Sequence, residues 1–388
     1  MSKIQLTKTC NITTGKLDAN AAEETGKYPY FTCAPEPLSI NTYAFDDDVI
    51  LLAGNNASGN FHCQRYKGKF NAYQRTYVIT AKQGYDIEYI YYNLKINLQH
   101  LKKLAQGSQT KFLTMQILDG FQIEDIHIPE QKRITEILKY IDRRIENNNK
   151  INQELKSMTK TIYDYWFLQF EFPNEDGKPY KSSGGKMVWN EELKKEIPVG
   201  WKVGNLYEIA EFINGLACQK YRPVNHDKKI PVIKIKEMHE GISESTEYVK
   251  EDIPEKNIIN DGDILFSWSA TLETMIWSGG KGGLNQHIFK IIPRGYAKYY
   301  VYMQLSAYIV NFIHMAEARK TTMGHITTDH LQQSRIAIPP KKIVDMYDER
   351  TQDFFDKIIC NNKQNRELVF LRDFLLPLLM NGQVRFKE

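Results

Sequence analysis

Cysteine is sparse and scattered. Cys10, Cys33, Cys63, Cys218 and Cys360 form no CxxC pair and are odd in number. That argues against a disulfide framework and against a structural zinc site, so no metal is assigned. Long apolar runs are missing as well. The longest, FLLPLLM near the end of the chain, is short and holds Pro377, far from the ~20 apolar residues of a membrane helix. The opening MSKIQLTKTC lacks the apolar core of a signal peptide. A soluble, cytoplasmic chain with no membrane partner is expected. Catalytic signatures are absent too. No GxxxxGK followed by Ser or Thr occurs, since SSGGK and GGKGG lack the spacing. No GxGxxG follows a strand, and HExxH, GxSxG and the deaminase pattern H-x-E with CxxC are not found. No cofactor is therefore expected on this chain, and no bond cleavage by it alone. Charge of one sign is not dominant either. A net +4 with pI near 8.5 permits a nucleic-acid partner without requiring one.

What is present is repetition. The chain of 388 residues is long enough for two or three domains, and it reads as two copies of one plan. NNNKINQEL (Asn147 to Leu155) and NNKQNREL (Asn361 to Leu368) share the pattern Asn-Asn-Lys-x-Asn-x-Glu-Leu. IHIPEQKRI precedes the first and IAIPPKKI the second, which aligns Pro129 with Pro339, and Asp119 and Phe121 with Asp329 and Leu331. Further back, GKFNAYQRTYVI resembles GGLNQHIFKII, placing Asn71 opposite Asn285. DDDVILL resembles DGDILFS, and GKYPYFTCA resembles KKIPVIKIK. The pieces keep one order in both halves.

Each half has a β-rich front with interleaved helices, a mixed α+β domain, and a long helix behind it. In the first helix Ile134, Leu138, Ile141, Ile145, Asn148, Asn152, Leu155, Thr159, Ile162 and Trp166 step by four and three, the seam of a coiled coil. In the second, Phe354, Ile358, Asn361, Asn365, Leu368, Arg372, Leu375 and Leu379 do the same, with Leu371 a possible substitute for Arg372. Pro377 should kink or end this helix, while Pro129 and Pro339 suit helix starts. The fold expected is two similar globular recognition domains separated by two long antiparallel helices, related by a pseudo-two-fold axis. The boundaries are 1–128 for the first domain, 129–170 for the first helix, 171–196 for a linker, 197–338 for the second domain and 339–388 for the second helix. The linker, rich in Gly, Ser and Lys, is expected to form no core. If the helices pack antiparallel, Asn148, Asn152, Asn361 and Asn365 meet and fix register. The alternative is that the asparagines break the helix or face solvent.

Polar loops with basic flanks recur in both domains. AGNNASGNF, RYKGKFNAYQR and QGSQTK lie in the first, and SWSAT, GGKGGLNQH and ARKTTMGH in the second. Asn and Gln suit adenine edges, Arg and Lys guanine, and Lys, Arg and Tyr phosphates. The residues expected to face DNA are Asn55, Asn56, Ser58, Asn60, Asn71, Tyr73, Gln74 and Arg75 in one half. In the other they are Ser267, Trp268, Ser269, Thr271, Asn285, Gln286 and His287. Lys111, Lys281, Arg319, Lys320 and Thr321 are the phosphate candidates. Taken singly, each loop reads as readily as a hydrophilic surface turn; recurrence points to DNA.

The layout and several phrases resemble the specificity subunit of type I restriction–modification systems. They are DYWFLQFEFPNEDGKPYKSSGGKMVWNEELKKEIPVGWK, DGDILFSWSAT, GGLNQHIFKI, TTMGHIT, LRDFLLPLLMNGQV and GKFNAYQRTYVI. The resemblance implies two target recognition domains, each reading half of a bipartite, asymmetric site in double-stranded DNA. The helices would set the spacer and dock two methyltransferase subunits, with motor–nuclease restriction subunits joining. S-adenosylmethionine, ATP and Mg would then sit on the partners, and this chain would be a non-catalytic subunit for DNA methylation and restriction. Other readings are a coiled-coil adaptor that does not bind DNA, a self-sufficient methyltransferase or nuclease, or the specificity subunit of a type IIB/IIG-like enzyme. The segment CNITTGKLDANAAEETGKYPY is shorter than the family's usual start, so the first domain's boundary is the less defined.

Overall fold

The structure is a computed structural model that describes residues 2–224, 226–269, 271–318 and 326–385. It divides into two compact units, residues 1–144 with 368–388, and residues 145–367. Each long helix contributes to both. Among the described residues, no helix is long and apolar enough to cross a membrane.

The first unit is built on a six-stranded sheet. Its strands lie in the order Cys10–Thr14, Thr76–Ala81, Phe45–Ala53, Cys63–Ala72, Tyr28–Phe31 and Leu38–Ile40. Helices Ile87–Ile96, Leu98–Leu104 and Met115–Gly120 accompany it. Asp86 starts the first of these by accepting from Glu88 N (2.7 Å), which satisfies an otherwise orphaned donor. Lys3–Gln5 pairs antiparallel with Gln122–Glu124 just ahead of the long helix. Ile50, Leu52, Ile79, Leu94 and Leu118 form the core, joined by Ile134 and Leu138 of the first long helix and by Leu376 and Leu379 of the second. Each such fully buried side chain stabilises the fold by about 1.5–3 kcal/mol, so the helix ends are held by the domain and not by helix propensity alone.

The second unit repeats the plan with a sheet split in two. One part orders Ala210–Asn214, Ile288–Pro293, Ile264–Ser267 and Glu273–Ile276; the other orders Tyr248–Lys250, Lys229–Ile233, Gly282–Leu284 and Ile258–Ile259. Lys202–Gly204 pairs antiparallel with Ile336–Ile338, matching the pairing of Lys3–Gln5 in the first unit. Helix Lys298–Ala318 covers the core. Leu206–Ile209 opens on a capping box in which Asn205 Oδ1 accepts from Glu208 N (3.0 Å) and Glu208 Oε1 accepts from Asn205 N (3.2 Å).

The long helices run Ile128–Tyr163 and Lys341–Met380. They are antiparallel, because Asn148 bonds Asn365 while Asn152 bonds Asn361. The first ends in a π turn at Asp164–Leu168, short of the expected Phe170. The second runs through Pro377 and stops at Met380. At the seam, Arg372 keeps its place and Leu371 does not replace it. The guanidinium meets Asp142 at 3.0 Å, whereas Leu371 is 43% exposed. An aspartate opposite turns an apparent defect of the seam into a largely buried ion pair. Phe355, not Phe354, is the buried aromatic.

The linker was expected to form no core, and the structure differs. Residues Met187–Asn190 and Lys195–Pro198 make a hairpin, and Phe172 stacks on Tyr180 (4.6 Å) and Trp201 (5.5 Å). Phe170, Phe172, Ile197 and Trp201 are all buried in the second unit's core. Spaced aromatics among Gly, Ser and Lys read as a loop in sequence. They bury large areas once brought to one surface.

Pairing also corrects the alignment of the two copies. Thr114 caps Met115–Gly120 by accepting from Ile117 N, and Thr327 takes the same place before Thr328–Gln333. Leu118 and Leu331 are both fully buried. The helix starts Ile128 and Lys341 and the asparagines Asn148 and Asn361 keep this spacing. Leu331 therefore corresponds to Leu118, not Phe121, and Pro129 and Pro339 are not equivalent: the first is inside its helix, the second ahead of it. Likewise Tyr73 N donates to Phe31 O (2.9 Å) and Asn285 N donates to Ile233 O (3.2 Å). Tyr73 and Asn285 bridge Leu17 and Leu216 in parallel. Asn285 thus matches Tyr73 and not Asn71; a shared Gly and Asn in a short phrase carry less information than a register of hydrogen bonds.

A glycine in each unit closes this turn: Gly15 N donates to Thr76 O (3.2 Å) and Gly215 N donates to Ile288 O (3.1 Å). A Cβ on Gly15 would lie 1.9 Å from Ala72 O, and one on Gly215 would lie 2.0 Å from Asn285 O. Both neighbours are backbone and have little room to yield. Gly15→Ala and Gly215→Ala are each expected to lose about 1–3 kcal/mol or more, measured by urea denaturation. Wild-type stability in either variant would contradict the close approach.

Candidate nucleic-acid interface

In the first unit, strand Phe45–Ala53 ends at Gly54, and the loop beyond it is held from several sides. Gly54 N donates to Arg75 O (2.9 Å) and Leu113 N donates to Gly54 O (2.8 Å). Asn55 and Asn56 pair with Phe112 and Lys111 as short strands. The Asn56 Oδ1 atom accepts from Ser58 N, Ser58 Oγ and Asn60 N, each at 3.0 Å. Asn60 Oδ1 accepts from Lys102 Nζ (2.6 Å). These bonds bring Asn55, Asn56, Ser58, Asn60, Lys111 and Arg75 together around Gly54. Ser58, Asn60, Gln74 and Arg75 are exposed; Asn55, Asn56, Tyr73 and Lys111 are half-buried. Asn71 is buried, its Oδ1 accepting from Ala72 N (3.0 Å). It braces the turn and offers no edge to a ligand.

Lys102 is the residue that sequence reading missed. Its signal is the basic last turn of helix Leu98–Leu104, which carries Lys102 and Lys103. A lysine there looks like ordinary complement to the helix dipole, and only the fold brings it to Asn60.

In the second unit, Ser267–Thr271 and Asn285–His287 meet. Trp268 N donates to His287 O (3.3 Å), and the Trp268 ring lies 5.5 Å from the His287 ring. Ser269 Oγ is 3.4 Å from His287 Nδ1, and Gln286 Nε2 is 3.4 Å from His287 Nε2. The imidazole is thus held at both nitrogens and on one face. Trp268, Gln286 and His287 are half-buried and Thr271 is exposed. Ser267, Ser269 and Asn285 are buried. Ser267 Oγ donates to Thr271 O, which closes the loop. Small hydroxyls at a strand end satisfy backbone carbonyls more readily than they reach outward, and that is why these positions differ from the expectation.

Lys281 is exposed but engaged, with Nζ 2.5 Å from Glu251 Oε1. The bond and charge of Lys281 hold the Glu251 carboxyl below the usual range. Arg319, Lys320 and Thr321 lie outside the described residues. Ile326 N donates to Trp268 O (3.2 Å). Among the described residues, no three His, Cys, Asp or Glu side chains group so as to hold a metal ion.

Each unit therefore presents a pinned loop of amide, hydroxyl and cationic groups beside a second turn, and the two sets of side chains are unlike. This chemistry fits reading of base edges flanked by phosphate contacts. The chain belongs to the family of the type I restriction modification DNA specificity domain, whose model matches residues 2–157 and again 198–369. It is 28% identical over 333 residues to the type I restriction enzyme MjaIX specificity subunit of Methanocaldococcus jannaschii, covering 80% of this chain and 72% of that protein. It is 31% identical over 224 residues to the EcoDI specificity subunit of Escherichia coli, covering 55% and 49%. The solved S subunit of a type I restriction–modification system from M. genitalium shares the fold, with a TM-score of 0.65 at 15% identity over 98% of this chain and 96% of that one.

Proposed function

We propose that each unit reads one half of a bipartite, asymmetric site in double-stranded DNA for a type I restriction–modification complex. In this reading the paired long helices dock two methyltransferase subunits and set the unread spacer. The observation that carries it is one fold present twice with different side chains at corresponding loops, Asn55–Asn60 with Tyr73–Arg75 and Ser267–Thr271 with Asn285–His287. Equal loops would suit a palindrome; unlike loops suit two different half-sites. Exposed apolar side chains on the helices support docking. Ile151, Met158 and Tyr165 recur every seven residues along one stripe, and Phe370 is 74% exposed. A contiguous apolar stripe left in water marks a protein contact, as single exposed apolar residues do not. The reading leaves this chain without catalysis, in the cytoplasm. S-adenosylmethionine, ATP and Mg belong to the methyltransferase and motor–nuclease partners.

The test is DNA binding by this chain together with its methyltransferase partner. If six to ten phosphates are neutralised, affinity should fall by about 10³–10⁵ between 50 and 200 mM salt. Absence of DNA binding at low salt in that complex would favour the adaptor reading.

A further inference from the structure

The two units place different chemistry at one corresponding position beside the long helices. In the second unit a groove of about 390 Å³ runs between the first long helix and helix Lys298–Ala318. Tyr163, Met303 and Phe355, all buried, form its apolar floor, and Leu168 and Val310, 49% and 55% exposed, its rim. Lys156 and Lys160 stand at the edge, the latter paired with Asp164. Ser306 and Thr159, the hydroxyls inside, already donate to Tyr302 O (2.8 Å) and Lys156 O (2.9 Å).

The repeat identifies the counterparts in the first unit. YDIEYIYYNL (Tyr85 to Leu94) matches YAKYYVYMQL (Tyr296 to Leu305), so Tyr92 stands where the other unit has Met303. The spacing of the long helices puts Asp142 in place of Phe355 and Arg372 in place of Thr159. There the side chains fill the space with a polar network. Arg372 Nη1 donates to Asp142 Oδ1 (3.0 Å) and Tyr92 OH donates to Asp142 Oδ2 (2.7 Å).

We infer that the groove of the second unit seats an apolar side chain, flanked by carboxylates, from one methyltransferase subunit, and that the two docking positions are therefore unequal. This rests on the reading of the helices as the docking element. A nucleic-acid backbone does not suit the site, because phosphates would lose hydration against an apolar floor. A protein side chain gains from that floor, and the ammonium groups of Lys156 and Lys160 favour acidic neighbours on it. The polar network of the first unit offers no such seat and would have to be opened to make one.

The experiment titrates the full chain with its cognate methyltransferase subunit and resolves 1:1 and 2:1 complexes by native mass spectrometry. The wild type should show two affinities at least about tenfold apart, and filling the groove should weaken the tighter one by about tenfold or more. Val310→Glu and Ala307→Trp, both at exposed helical positions, are the groove variants. Gln99→Glu, at the matching exposed position of the first unit, is the control and should change neither affinity. Two equal wild-type affinities, or groove variants with wild-type melting and unchanged binding, would overturn the inference while leaving the docking reading intact. A wild-type chain that binds no methyltransferase subunit would overturn both.

Discussion

Exchanging residues 2–127 for the corresponding part of another family member is expected to rewrite one half of the methylated site and leave the other half as it was. The reason lies in how the first unit is wired. Loop 54–60 is tied to Arg75, Leu113, Lys111 and Lys102, all inside the exchanged segment. These bonds all close within the first unit. The side chains that would choose bases therefore travel as a set. Each wrong base pair costs about 1–3 kcal/mol, roughly additively, so a half-site of three bases is worth about 3–9 kcal/mol of discrimination. Methylation mapping, with competition binding on half-site variants, measures this. Both half-sites changing together would refute the assignment of one unit to one half-site.

Asn152→Leu is expected to destabilise the helix pair sharply, and Asn361→Leu added to it to restore much of the loss. Asn152 Nδ2 donates to Asn362 Oδ1 (2.7 Å), and Asn361 Nδ2 donates to Asn152 Oδ1 (2.8 Å). Asn361 is fully buried. The single change leaves its amide without that partner, at about 1–3 kcal/mol for each buried group left unsatisfied. Replacing both removes the buried Asn361 amide and returns apolar contact, leaving only the half-buried Asn362 oxygen to find water. A double-mutant cycle should give a coupling of about 0.5–3 kcal/mol, read from urea denaturation. The double variant should also lose specificity of pairing, since polar seam residues hold register at the expense of stability. Asn148 makes the same point one turn away, donating to Gln364 Oε1 and Asn365 Oδ1 at 2.8 Å. Strictly additive single changes would show that the amides do not act as a mated set.

These results divide what was legible in the chain from what was not. The duplication, the α+β character of each copy and the two long helices follow from sequence. A seam of apolar residues stepping by four and three is a one-dimensional signal, and so are strands broken by Gly and Asn. The meeting of the asparagines followed from their place on that seam once the helices were taken as antiparallel. Arg372 shows the limit: its partner Asp142 is 230 residues away, and a seam read along one helix cannot see what faces it. Phe172 and Trp201 show the same for the segment between the copies, where aromatics look isolated until a turn stacks them. At the candidate interface the residue types were readable and their direction was not. Asn71, Ser267, Ser269 and Asn285 turn inward to satisfy backbone groups, whereas Lys102, unremarkable in its helix, reaches Asn60. Periodicity and composition fix elements because they act between near neighbours. Exposure and partnership depend on which distant residue arrives, and packing alone decides that.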